Sequence, residues 1–204
     1  MFGAACGGSG LTSPSTPTGT ATPTPAPLVT RPNIILVLLD DGEDAMVSNM
    51  PRIRANFIER GLRFTNAFSN TPLCGPSRSN ILAGQFSHNT RVIQNIGGEA
   101  GYPAWADGGY DTNNVGPWLK AAGYRTGIFG KYQNDYPTRR DVKDYVENFV
   151  PPGWDDWRVV MSDREASNDS YTLNENGALN RYTSPSGYKA DILSTRLDSF
   201  LRAA

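Results

Sequence analysis

The sequence predicts an α/β fold. Three observations carry that expectation. Ile34-Ile35-Leu36-Val37-Leu38-Leu39 is a continuous apolar run rich in branched side chains, as a parallel strand covered on both faces requires. The segments that follow alternate between strand and helix patterns as far as Gly130. With 204 residues, 38% of them hydrophobic and 10% aromatic, the chain can bury a core of its own.

Taken in order, Asp40-Asp41-Gly42 ends the first run. Pro51 suits the first turn of a helix whose apolar positions Ile53, Phe57 and Ile58 share a face, with Gly61 as its stop. A strand is expected around Leu62 to Phe68, then a turn-rich stretch from Asn70 to Pro76 and a short helix from about Ser77 to Ala83. Gly97 to Asn114, full of Gly, Asp and aromatic residues, reads as a loop. Val115 to Ala122 is helical and closes at Gly123, and Tyr124 to Gly130 returns to a strand. Ala190 to Leu201 is an amphipathic helix whose apolar face, Ile192, Leu193, Leu197 and Leu201, requires a partner. Left bare, that face would make the chain prone to aggregate.

Residues 7–30 are almost wholly Gly, Ser, Thr, Pro and Ala, the composition of an extended linker. Folding is expected to start near Arg31. Ahead of the linker, Gly3-Ala4-Ala5-Cys6-Gly7 resembles the end of a bacterial lipoprotein signal; a plain flexible tail is the other reading, since neither a basic start nor an apolar stretch precedes Cys6. The net charge of -1 gives no footprint for nucleic acid or an anionic membrane. No run approaches the roughly 18 apolar residues of a membrane span. The two cysteines, Cys6 and Cys74, lie in settings too different for a disulfide framework.

Two constellations carry chemistry. Adjacent carboxylates at a strand end repel one another unless a cation or a proton lies between them, which makes Asp40 and Asp41 candidate metal ligands. Both can meet one ion only if the chain bends there, and Gly42 supplies that freedom. Hard oxygen donors without a His or Cys cluster suit Ca²⁺ or Mg²⁺ rather than Zn²⁺. The competing reading is a solvated acidic loop, to which Glu43 and Asp44 belong.

The second is Cys74-Gly75-Pro76-Ser77-Arg78. With Pro76 at the first helical position, the free N–H groups of Ser77 and Arg78 would point back toward Cys74 as an anion site, and Arg78 adds a permanent fork for sulfate or phosphate oxygens. A buried structural cysteine before a capped helix is the competing reading. A cysteine phosphatase loop is a poorer match, because it spaces Cys and Arg by five residues and here there are three. His88, the only histidine, reads as structural, and Trp105, Trp118, Trp154 and Trp157 read as packing residues. Asn168-Asp169-Ser170 fits a glycosylation acceptor, which carries meaning only outside bacteria.

Cys74-x-Pro-Ser-Arg78 resembles the modification signature of the type I sulfatases. Arg31-Pro32-Asn33-Ile34-Ile35 with Asp40-Asp41 resembles their opening strand and metal site. Ser79-Asn80-Ile81-Leu82-Ala83-Gly84 continues the second motif, and Gly127-Ile128-Phe129-Gly130-Lys131 resembles the strand that delivers an active-site lysine. Within the family the likeness is to the N-acetylglucosamine-6-sulfatases and heparan-sulfate 6-O-endosulfatases. It is carried by Ser87-His88-Asn89-Thr90 with Val92, Gly130 to Tyr136, Val150 to Trp154 with Trp157, and Tyr171-Thr172-Leu173-Asn174 with Asn176-Gly177. Where most sulfatases have Gly-Lys-Trp-His, this chain has Gly130-Lys131-Tyr132-Gln133, so that histidine is replaced.

The resemblance implies an alkaline-phosphatase-like α/β/α sandwich with a mostly parallel sheet, residues 31–204 forming the amino-terminal part of its catalytic domain, truncated at the C-terminus. It implies conversion of Cys74 to formylglycine by a maturation enzyme, with Asp40, Asp41 and the modified Cys74 holding Ca²⁺ in preference to Mg²⁺. The hydrated aldehyde would attack the sulfur of a sulfated sugar or glycosaminoglycan and expel the sugar alcohol. Arg78 and Lys131 would stabilise the developing charge, and Gln133 or Asn134 would bind sulfate. On this reading the protein is exported and removes 6-O-sulfate from N-acetylglucosamine or heparan-type glycans. The family's remaining metal ligands, a histidine and a second lysine are not found up to Ala204, so this chain alone is expected to be inactive. The rival readings are a non-catalytic sulfated-glycan binder of the same fold, and an arylsulfatase or phosphodiesterase of the same superfamily.

Overall fold

The computed structural model describes residues 31–97, 100–138, 146–161, 167–185 and 187–203. The expected tail over 1–30, with Cys6, lies outside them. The chain divides into two compact units, Met1–Leu38 and Leu39–Ala204. In the first, residues 31–38 form no regular element, and Ile34 to Leu38 are between 42% and 66% exposed. The strand expected over Ile34–Leu39 is therefore not formed. An apolar segment becomes a strand only where a neighbour takes up its N–H and C=O groups, and the sheet begins at Gly127.

The second unit opens with a turn at Asp40-Asp41, a 3-10 helix over Asp44–Asn49, and α1 (Pro51–Ile53) running into a π-turn at Arg54–Ile58. Pro51 takes the helical start expected of it, but Phe57 and Ile58 stay exposed. The strand expected over Leu62 to Phe68 is likewise absent: that stretch is turns and unpaired chain, with Leu62, Phe64 and Phe68 facing outward.

Helix α2 (Cys74–Ala83) closes on Gly84, and α3 (Ser87–Thr90) follows. The expected loop from Gly97 to Asn114 contains α4 (Gly101–Asp107), which exists because its apolar residues have a core to enter: Tyr102 and Trp105 are fully buried. Helix α5 (Val115–Ala121) is capped by Asn114, whose side-chain oxygen accepts the Gly116 N–H at 2.9 Å.

The sheet has four strands in the order β1 (Gly127–Gly130), β2 (Asp156–Val160), β3 (Ser170–Glu175) and β4 (Ala178–Thr183). The α/β class holds, but this sheet is mixed: β1 and β2 are parallel, with Gly127 opposite Asp156 and Gly130 opposite Val159, whereas β2–β3 and β3–β4 are antiparallel. Helix α6 (Lys189–Arg202) finds the partner its apolar face requires. Ile192 and Leu193 pack against Val160, Tyr171 and Leu173, so the expected bare face is covered in part, and Leu201 remains exposed. No helix among the described residues is long and apolar enough to cross a membrane.

The larger core joins α2, α4 and the sheet through Leu82, Val92, Tyr102, Trp105, Tyr132, Tyr136, Trp157 and Met161. Buried tyrosines need partners for their hydroxyls. The Tyr132 hydroxyl accepts from Trp105 Nε1 at 2.7 Å and donates to Asp111, while Tyr102 donates to the other Asp111 oxygen at 2.8 Å. Burial pushes Tyr132 well above its ordinary value, so it stays neutral. This aromatic block lies directly after Lys131 and fixes where β1 delivers it.

Candidate active site

The site assembles around Asp40. Arg78 lies one turn into α2 and is buried; its Nη2 donates to Asp40 Oδ1 at 2.9 Å and its Nη1 to the Lys131 carbonyl at 2.8 Å. Lys131, first residue after β1, donates from Nζ to Asp40 Oδ2 at 2.9 Å. Each Asp40 oxygen thus faces its own cation. Partial burial raises the Asp40 carboxyl, but hydrogen bonds from Lys131 and Arg78 outweigh it and hold the group below its usual range, ionised.

Asp41 and Cys74 complete the cluster. Cys74 Sγ lies 3.9 Å from Asp41 Oδ1, and one ligand atom each from Asp40, Asp41 and Cys74 fall within 4.8 Å of one another. The bend that brings the two aspartates together is at Asp41 itself, with φ 53, a left-handed conformation Asp tolerates better than most residues. Gly42 is needed for space instead: a Cβ there would stand 2.7 Å from that of Leu39. The two carboxylates on that bend are hard, anionic donors that suit a divalent cation of the calcium or magnesium type, with residue 74 beside them at the start of α2.

The helix that carries Cys74 departs from the pattern expected of it. It starts at Cys74, three residues early, so Pro76 lies inside the first turn, where its missing N–H is no loss. The Ser77 N–H is consequently donated to Leu73 at 2.9 Å and does not form the expected anion site. Gly75 N–H is taken by Asn95 Oδ1 at 2.8 Å, a cap supplied from 20 positions downstream. No local signal in the sequence marks Asn95 for this role.

Gln133 is fully buried against α2, where its Oε1 accepts from Ser79 at 3.4 Å; this takes it out of direct substrate contact, contrary to expectation. Asn134 is half-buried, with its Oδ1 directed at Gly75 beside Cys74. His88 is exposed on α3 and stacks on Phe86. Trp105 and Trp157 lie in the core, Trp154 packs against it, and Trp118 is partly exposed.

In this mixed α/β protein a carboxylate clamped between Arg78 and Lys131, beside a second carboxylate and a cysteine at a helix start, gathers groups that can hold a cation and an anionic group at one point. Comparison with known families places it more narrowly. The sulfatase family model matches residues 32–204, and the chain belongs to that family. It is 32% identical over 176 residues to an extracellular sulfatase SULF-1 homolog of Drosophila melanogaster, covering 85% of this chain and 15% of that protein. To the human N-acetylglucosamine-6-sulfatase it is 31% identical over 171 residues, covering 80% and 29%. To an N-acetylglucosamine-6-O-sulfatase of Bacteroides thetaiotaomicron it is 30% identical over 183 residues, covering 84% and 27%. The chain therefore spans less than a third of the length of these relatives. A solved structure described as a complex with its substrate D-glucosamine-2-N,6-O-disulfate aligns with a TM-score of 0.48 and 23% identity, over 77% of this chain and 26% of that one.

Proposed function

We propose that this chain carries the nucleophile and one side of the metal site of an exported sulfuric ester hydrolase acting on 6-O-sulfated N-acetylglucosamine or heparan-type glycans. Hydrolysis is proposed for the protein at the length of its relatives, with Cys74 converted to formylglycine by a maturation enzyme. The observation that carries this reading is the meeting of Asp40, Asp41 and Cys74 beside Arg78 and Lys131.

Asp40, Asp41 and the modified residue 74 would hold Ca²⁺. When present, the aldehyde hydrate supplies the nucleophile and the ion supplies Lewis acidity. The remaining work belongs to the chain. Arg78 fixes the Asp40 carboxylate and ties it to the end of β1. The Lys131 ammonium, already aligned on Asp40, is in place to stabilise charge as it develops on the ester oxygens without reorganising. Asn134, whose amide oxygen lies beside Gly75, is proposed to contact the sulfate group. The names of the relatives that match support both the glucosamine-6-sulfate preference and the extracellular location.

The test is made on the protein at the length of its relatives, produced together with a formylglycine-generating enzyme. Mass spectrometry of the tryptic peptide ending at Arg78 should show the aldehyde, and sulfate should be released faster from N-acetylglucosamine-6-sulfate than from galactose-6-sulfate or an aryl sulfate. Unmodified thiol alone would remove the proposed nucleophile, and preference for the galactose ester would overturn the substrate assignment.

A further inference from the structure

An open cleft of about 600 Å³ follows one flank of α2. Ser77, Asn80, Ile81 and Gly84 line it, spaced three and four apart as one face of a helix requires. Ser77 lies one turn beyond Cys74, so the cleft starts next to the site and continues for about 10 Å to the end of the helix. It stays open there, because a Cβ on Gly84 would have nothing within 4 Å. Phe68, Gln85, Phe86 and Asn89 continue the lining.

The lining has a particular chemistry. Among the described residues no charged side chain borders the cleft. The Phe86 ring is 57% exposed, with His88 stacked on it at 5.8 Å, and Phe68 is exposed as well. Asn80 Oδ1 accepts from the Ser87 hydroxyl at 3.1 Å, and Gln85 Oε1 accepts from the Tyr110 hydroxyl at 3.3 Å. Both amides are thus held by their oxygens, and their nitrogens remain as donors with no protein partner among the described residues. A ligand that matches this cleft has an apolar face edged by neutral oxygen acceptors. A sugar ring is built that way, with C–H groups on its face and hydroxyl, ether and acetamide oxygens at its rim. An acyl chain would leave the amide donors unpaired, and a sulfate or carboxylate would find no cation here.

We propose that this cleft is a subsite for the uncharged sugars of a glycan chain whose sulfated residue sits at Asp40, Lys131 and residue 74. Phe86 supplies the stacking surface, and Asn80 and Gln85 donate to the sugar oxygens. The substrate class is then an oligosaccharide rather than a single sulfated sugar. This rests on the sulfatase reading above.

The experiment uses the protein at the length of its relatives and compares two ligands by calorimetry in calcium. One is N-acetylglucosamine-6-sulfate; the other is a tetrasaccharide in which that residue is joined to uncharged sugars. Wild type should hold the tetrasaccharide at least about tenfold more tightly. Phe86→Ala removes the ring, and Gln85→Glu keeps an oxygen for Tyr110 while giving up the donor; thermal melts establish that both fold. Each should weaken the tetrasaccharide by about three- to tenfold and the monosaccharide by less than about twofold. Phe86→Tyr should bind as wild type. Equal affinity of wild type for the two ligands, or variants that weaken both ligands alike or neither, overturns the inference while the sulfatase reading stands. Wild-type protein that binds neither ligand overturns both. Phe68→Cys should react with a maleimide, above the background of wild type, and be shielded by the tetrasaccharide. Shielding before any ligand is added would show that further chain of the longer protein fills the cleft, which also overturns the inference.

Discussion

Lys131 Nζ and Asp40 Oδ2 meet at 2.9 Å across 91 positions of sequence. The charge that β1 delivers is thereby fixed before any substrate arrives. Lys131→Ala should lower kcat/KM for sulfate release from N-acetylglucosamine-6-sulfate by about 10² to 10³, the usual loss of one preorganised electrostatic group. Lys131 is partly exposed, so the melting temperature should change little. A loss of less than about tenfold would remove Lys131 from the reacting centre.

Asp41→Asn isolates the charge of the metal set. Asn adopts the left-handed backbone as readily as Asp, so φ 53 is kept and only the carboxylate is lost. Calcium affinity measured by calorimetry should fall at least about tenfold, and chelation of the metal should abolish sulfate release from the wild type. Equal affinity in both proteins would reduce Asp40-Asp41 to a solvated acidic turn.

The cap on Gly75 makes a different prediction. Asn95→Ala leaves the Gly75 N–H without its acceptor at the helix turn that carries Cys74. Stability by urea titration should drop by about 1 kcal/mol, as for other lost helix caps. Because the first turn of α2 also sets the direction of residue 74, a proposed metal ligand, kcat and calcium affinity should both fall. Stability lost while kcat and calcium affinity both stay as in wild type would mean that the cap serves the helix alone.

Glu175 governs stability in acid. Its side chain is almost wholly buried and takes hydrogen bonds from Arg158, Arg196, Asn180 and Tyr182, which tie α6 to the sheet. Burial alone would raise this carboxyl, but hydrogen bonds from Tyr182, Asn180 and Arg196 outweigh it and hold it below its ordinary 4.5. A depressed carboxyl contributes its full stability above the unfolded value and loses it as pH falls through the lower native one. Glu175→Gln should cost about 2–4 kcal/mol near neutral pH, since two arginines then face a neutral amide. Below about pH 4.5 the gap between variant and wild type should close, read by thermal melts across pH. A gap that stays constant would mean that packing, not charge, holds α6.

The meeting of five residues was legible because Asp40 and Asp41 lie at a turn, Cys74 and Arg78 at the start of a helix and Lys131 just after a strand. Asp40, Asp41, Cys74, Arg78 and Lys131 were named from short segments, and the fold brings these five together. Asn95 was not legible, since it reaches the Cys74 helix from 20 positions downstream by a meeting of elements that no local pattern encodes. Gln133 was read as a sulfate contact because no local pattern shows that the consecutive Tyr132 and Gln133, with Tyr136, all turn into the core. In the fold, the Asn176-Gly177 pair between Ser170–Glu175 and Ala178–Thr183 is a two-residue hairpin signal, with φ 53 and 91. The strands on either side were not expected, although the pair itself signals the turn between them. The Ile34–Leu39 run shows the opposite case, because apolar periodicity states a preference for burial and says nothing of which strand will lie alongside.

The guanidinium of Arg78 has a mechanical consequence beyond its charge. It grips the Asp40 carboxylate and the Lys131 carbonyl with different nitrogens, closing spans of 38 and 53 positions on one rigid plane. The entropy of closing such spans grows only with the logarithm of their length, so a single well-placed joint can hold distant segments in register. Arg78 is in that sense a rivet through three pieces of chain. Lysine in its place would keep the charge and lose the second grip. The segment bearing Asp40 would then be tied to the end of β1 by the Lys131 ammonium alone, and the site would loosen as a linkage before it failed as an electrostatic trap.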